Sequence, residues 1–196
     1  PVGYSAFPVS STLQIAGQNK EVIKDYYFQA NSVGSKGVNI NASSILFAGY
    51  GISKEGFNEY EGQDVAGKVV MVFNVGDPTL PPPAAPAAGQ QQRRQPIQGP
   101  TATKIKYLLD RKAAAVILIN PTLDNMNPMM ARFVNGSPIL TTPERLKRLE
   151  EGAALPVINI STATANQILA NANMNVDAVK ASLTSSKKPL TSVINV

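Results

Sequence analysis

Val69-Val70-Met71-Val72-Phe73-Asn74-Val75 is apolar at nearly every position, which leaves no polar face to turn toward water. A half-exposed strand alternates apolar and polar residues; an unbroken run of strand length, rich in branched side chains, marks a strand covered on both sides. Ala114-Ala115-Val116-Ile117-Leu118-Ile119 repeats the pattern, and Leu155-Pro156-Val157-Ile158-Asn159-Ile160 is a third short strand. Ile45-Leu46-Phe47-Ala48-Gly49-Tyr50-Gly51-Ile52 adds a fourth, with two glycines that mark a bulge or a close backbone approach. The runs are far too short to cross a bilayer, so they belong to a sheet in a globular core.

Helical patterns separate the later runs. Ile105, Leu108 and Leu109 fall at i, i+3 and i+4, which predicts a helix over about 103–112. Strand 69–75, this helix and strand 114–119 form a crossover unit, whose strands should be parallel and whose connection should be right-handed. Thr142-Pro143-Glu144 has the layout of a helix start, and Leu146 and Leu149 give that helix a narrow apolar edge. Ser161 caps a further helix with Ala165, Ile168 and Leu169 on one stripe. A last helix, around 176–183, leads to a closing strand, 191–196. Residues 1–43 are weakly patterned and read as leading extended segments. The fold class expected is α+β: one domain over 1–196, a compact sheet of short buried strands with a few helices against it.

Residues 78–100 interrupt this pattern with seven Pro, five Gln and four Ala, and only Leu80 and Ile97 as large apolar groups. Such a segment packs no core and reads as a long Pro/Gln-rich loop. It carries Arg93 and Arg94, a guanidinium pair suited to carboxylates.

The chain contains no histidine and no cysteine. The usual zinc ligand sets, histidine-activated nucleophiles and thiol chemistry are therefore outside its reach. Carboxylates, lysine bases and oxygen-only metal sites remain. Glu55, Glu59, Glu61 and Asp64 form the one acidic cluster, but their spacing fits no calcium loop, and a solvated turn is the plainer reading. The flanks of Lys104 and Lys106 give no sign of a depressed pKa, which leaves a lysine base unsupported. Gly49-Tyr50-Gly51 lacks the third glycine and following helix of a nucleotide loop. Asn41-Ala42-Ser43 and Asn159-Ile160-Ser161 fit the glycosylation pattern, though the second overlaps a buried strand.

Charge adds little. Residues 1–77 carry five Lys against seven acids, and residues 78–196 carry thirteen Lys or Arg against six acids, giving −2 and +7. The basic residues are scattered and have no interleaved aromatics, so they read as solvated faces rather than a nucleic-acid surface. Neither a catalytic residue nor a metal site of the chain's own emerges from its residues.

The order of segments carries more information. Phe47-Ala48-Gly49-Tyr50-Gly51-Ile52 resembles the F-x-G-Y-G-I strand of protease-associated (PA) domains in zinc-dependent aminopeptidases and their glutamate-carboxypeptidase relatives. Tyr60-Glu61-Gly62-Gln63-Asp64-Val65-Ala66-Gly67-Lys68-Val69-Val70 resembles their next turn and strand, and Gly76-Asp77-Pro78 its tail. Thr103-Lys104 with the alanine-led strand 113–119, then Leu155–Ser161, then Lys188-Pro189-Leu190-Thr191-Ser192, follow in the same order. Arg111-Lys112 departs from the family's Lys-Gly pair, and the 78–100 segment has no fixed counterpart there. The resemblance implies a swivelling β/β/α domain with an open-barrel-like sheet, attached to a di-zinc peptidase domain whose ligands lie outside this chain. It implies no cofactor here, zinc in the parent peptidase domain, that domain and a peptide or protein substrate as partners, and an exported protein. The alternative is a stand-alone interaction module of the sorting-receptor or subtilisin-like protease type.

Overall fold

In the computed structural model, which describes residues 3–5, 11–29, 38–75, 77, 100–127, 139–141 and 155–196, the apolar runs lie side by side. Numbered along the chain, the strands are β1 (Gly3–Ser5), β2 (Gln14–Ile15), β3 (Gln18–Asn19), β4 (Tyr26–Phe28), β5 (Ser44–Phe47), β6 (Ser53–Lys54) and β7 (Phe57–Asn58). They continue as β8 (Val69–Phe73), β9 (Ala115–Ile119), β10 (Ile139–Thr141), β11 (Val157–Ile160) and β12 (Ser192–Asn195). Among the described residues the helices are α1 (Pro100–Asp110), α2 (Thr162–Ala170) and α3 (Val176–Ser186), with a 3-10 turn at Pro121–Asn125.

Six strands make the main sheet, in the order β12-β5-β8-β9-β11-β4. The four central strands are parallel and sit in sequence order, with Val69 opposite both Ile45 and Ala115, and Ile117 opposite Ile158. β12 and β4 close the two sides antiparallel. The expected crossover is present: β8 and β9 are parallel neighbours joined through α1. Because successive side chains of a strand point to opposite faces, each apolar run feeds two cores. Ile45, Phe47, Met71, Phe73, Ile117, Ile119 and Ile160 pack under Ile168 and Leu169 of α2 and Val179 and Leu183 of α3. Leu46, Val70, Val72, Val116, Leu118 and Val157 face the other way, toward Leu108 of α1 and toward Tyr60 and Val65. Double coverage is why no strand of the parallel set needed a polar face.

Among the described residues three two-stranded ladders lie outside this sheet: β1 with β10, β2 with β3, and β6 with β7. The β2–β3 hairpin turns on Ala16 and Gly17, both at positive φ. The architecture is α+β with sheets of short strands, and no closed barrel forms among the described residues. No described helix is long and apolar enough to cross a membrane.

Several boundaries shift. The strand expected over 45–52 ends at Phe47, because the chain turns at Gly49 and Gly51 instead of bulging. α1 begins at Pro100 and ends at Asp110. Beyond it Lys112 adopts φ +58, and the N–H groups of Lys112 and Ala113 return to the carbonyls of Leu109 and Leu108 at 2.9 and 3.1 Å. This is a Schellman closure with lysine in the left-handed position. The helix expected from Thr142 lies outside the described residues.

Candidate functional site

At the end of β5 the backbone folds back within four residues, with Gly51 N–H donating to the Ala48 carbonyl at 2.7 Å. The turn is stitched to β8 on both sides, by Ala48 N–H to the Met71 carbonyl at 3.0 Å and by Phe73 N–H to the Gly49 carbonyl at 2.8 Å. Its remaining N–H groups need acceptors, since buried backbone donors are almost always paired. Glu59 supplies them. Its Oε1 accepts from Tyr50 N–H at 3.1 Å and its Oε2 from Ile52 N–H at 3.0 Å.

Glu59 arrives from the hairpin β6–β7 and exposes 0% of its surface. Its main chain is held as well: Glu59 N–H donates to the Ile52 carbonyl at 2.9 Å, and the Thr191 hydroxyl donates to the Glu59 carbonyl just before β12. The fit leaves no room for a side chain at either glycine of the turn. A Cβ at Gly49, where φ is +41, would lie 1.8 Å from Glu59 Oε1. One at Gly51, where φ is +68, would lie 2.9 Å from both Tyr60 Oη and Val72 Cγ1. These glycines are required twice over, by backbone conformation and by space.

Lys104, from the first half of α1, brings a buried cation to the same region. It is 4% exposed, and its Nζ donates to the Phe73 carbonyl at 3.0 Å and stands 5.9 Å from the centre of the Tyr50 ring. Burial pushes the Glu59 carboxyl up to about 7, against the opposing pull of the Ile52 and Tyr50 N–H groups and of Lys104. Burial likewise brings the Lys104 ammonium down to about 8, while the charges of Glu59 and Asp77 resist the fall. Asp77 also pairs with Lys54 at 3.0 Å, tying the tip of the β6–β7 hairpin to the chain beyond β8. Nearby, the Tyr60 and Tyr107 rings stack at 4.8 Å, and the Arg111 guanidinium covers Tyr107 at 3.6 Å. Among the described residues the buried Tyr60 hydroxyl has no hydrogen-bond partner, and burial raises its pKa.

Two readings of the sequence are corrected here. Glu59 is no solvated turn acid, because Phe57 and Glu59 both point inward across the short β7 arm. Lys104, whose flanks give no sign of a depressed pKa, has one, because it lies one helical turn before Leu108 and extends the buried stripe of α1. That i, i+4 spacing was a usable signal for Lys104. The acceptor role of Glu59 had none, since it depends on where the turn after β5 lies in space.

The other acids of the cluster do not join Glu59. Glu55 and Glu61 are exposed, and Asp64 accepts from Ala66 N–H at 2.9 Å in its own turn. Among the described residues no group of three or more His, Cys, Asp or Glu is placed to hold a metal ion. Lys106 is exposed and pairs with Asp110 at 2.8 Å. Asn159 is 3% exposed and accepts from the Asn120 side chain, so this sequon is closed in the folded chain, whereas Asn41 is exposed. Arg93 and Arg94 lie outside the described residues.

Chemically, the site joins two groups that titrate near neutrality to a turn, a helix and a strand entry. Both carboxylate oxygens are spent on backbone donors and the ammonium on a backbone carbonyl. The arrangement ties these three elements together.

No family model and no curated protein matches the chain. Among solved structures it is similar to the aminopeptidase from Aneurinibacillus sp. strain AM-1, at 18% identity and a TM-score of 0.41. That similarity takes in 100% of this chain and 32% of the aminopeptidase, so the chain spans about a third of that protein's length.

Proposed function

We propose that this chain is a PA-type accessory domain of an exported zinc aminopeptidase, without catalysis of its own, which shapes substrate access or specificity at the parent's catalytic domain. The observation that carries this reading is the ordered set of family motifs running from Phe47 to Ser192. The roles of the motif residues agree with it. Gly49 and Gly51 make the turn, Tyr60 and Val65 fill the second core, Lys104 holds the end of β8, and Ser161 caps α2 by accepting Thr164 N–H at 3.2 Å. Each is occupied in building a scaffold. The partners are then the parent peptidase domain and its peptide or protein substrate, and the zinc belongs to that domain.

The test is made in the full-length parent. Kinetics on a panel of peptides are compared between the intact protein and a version with residues 1–196 replaced by a short linker. Retained zinc and turnover with altered kcat/KM ratios between peptides support the proposal. Unaltered ratios across the panel, or peptidase activity residing in the isolated chain, overturn it.

A further inference from the structure

The turn after β5 has the form of an anion receptor. Gly49 and Gly51 take positive φ on either side of Tyr50, and this alternation brings the N–H groups of Tyr50 and Ile52 to one carboxylate while the Gly51 N–H between them closes the turn on the Ala48 carbonyl. Tyr50 and Ile52 donate to the two oxygens of one carboxylate, at 3.1 and 3.0 Å. Lys104 supplies positive charge from the α1 side. The receptor is full because residues 53–58 bring Glu59 back onto it.

We propose that the Ala48–Ile52 turn is a carboxylate-binding site in its own right, occupied by Glu59 as a tethered ligand. The tether explains why no outside anion is needed: a ligand held seven residues beyond the end of the turn acts at a high effective concentration. The shape sets the class of ligand. Beyond Cβ, the glutamate side chain is one methylene and one carboxylate, so truncation to alanine vacates the volume of an acetate ion. Formate fills that volume incompletely, and propionate exceeds it by one carbon, which must overlap the Cβ that alanine keeps at position 59.

The experiment uses Glu59→Ala and acetate itself. Thermal unfolding is followed in acetate, formate, propionate and chloride at matched ionic strength and fixed pH, with the wild-type chain alongside. Acetate at ten times its dissociation constant should raise the Tm of Glu59→Ala by about 3–5 °C. The rise should saturate, follow the order acetate, formate, propionate, and be absent from the wild type, whose site is filled. Equal shifts in both proteins, shifts no larger than those in chloride, or no shift at all overturn the proposal. If Glu59→Ala does not fold unaided, it is diluted from urea into acetate or chloride and its near-ultraviolet circular dichroism is read. Native signal recovered in acetate alone supports the site; equal recovery, or none in either salt, overturns it.

Discussion

Gly49 and Gly51 set the sharpest limits at the scale of single residues. Gly49→Ala would place a methyl group 1.8 Å from Glu59 Oε1, so the carboxylate must leave and take two backbone hydrogen bonds with it. We expect a loss of about 3 kcal/mol. Gly51→Ala meets the softer contacts at 2.9 Å and should lose about 2 kcal/mol. Urea unfolding of the two variants checks both the size and the ranking. The buried pair adds a pH signature. Glu59 titrates at about 7 in the native chain against an ordinary 4.5, so between those values the native state binds the extra proton and stability falls as pH rises. Lys104 titrates at about 8 against 10.5, so across that window the unfolded state binds the extra proton and stability falls as pH drops. The pair's contribution is therefore weakest between about pH 7 and 8. Unfolding free energies from pH 4 to 11 should show that dip in the wild type, with its acid limb absent from Glu59→Gln and its alkaline limb absent from Lys104→Met. A profile shared by all three proteins would contradict the assignment. Little of this was legible beforehand. The glycines announced a special backbone, but the reason for it sits ten residues away in a carboxylate that reads like its solvated neighbours.

Elements were far more legible. β8, β9 and β11 follow from unbroken branched runs because burial on both faces leaves no alternative to an apolar side chain. α2 follows from the Ser161 cap and its stripe, and α3 starts where Asn175 accepts Ala178 N–H at 2.8 Å. The short ladders were obscure because two-residue strands such as β6 and β7 carry no period, and their pairing is fixed by the turn at Gly56 and the inward Phe57. The end of α1 gives a prediction at this scale. Lys112 is exposed and left-handed, a conformation that costs a residue with a Cβ about 1–2 kcal/mol and glycine much less. Lys112→Gly should therefore stabilise the chain by about 0.5–1 kcal/mol, the unfolded-state entropy of glycine offsetting part of the relief. An unchanged or lower urea midpoint would show that Lys112 makes a compensating contact.

For the whole molecule, the proposal assigns zinc and turnover to a partner domain and recognition to this chain. The isolated chain should then hold no stoichiometric zinc after dialysis against it, since with neither imidazole nor thiolate only hard oxygen ligands remain. One tightly held equivalent would contradict the reading. Recognition is expected from residues 78–100, which leave the end of β8 and re-enter at α1, beside the Lys54–Asp77 pair and the Thr101 hydroxyl bonded to the Asn74 carbonyl at 2.8 Å. Both anchors are well held, so whatever this segment contacts is reached from a fixed base. Arg93 and Arg94 are its charged groups, and paired guanidinium groups favour a peptide C-terminus or an acidic side chain. Replacing residues 80–98 by a short Gly-Ser linker in the full-length parent should leave the domain folded and lower kcat/KM for acidic peptides more than for neutral ones. A single lost charge contact of this kind changes such a ratio by about five- to tenfold. Replacing both arginines by glutamine should reproduce most of the change, which separates charge recognition from loop length. Equal ratios in a stably folded protein would make the segment a tolerated insertion and return substrate selection to the peptidase domain.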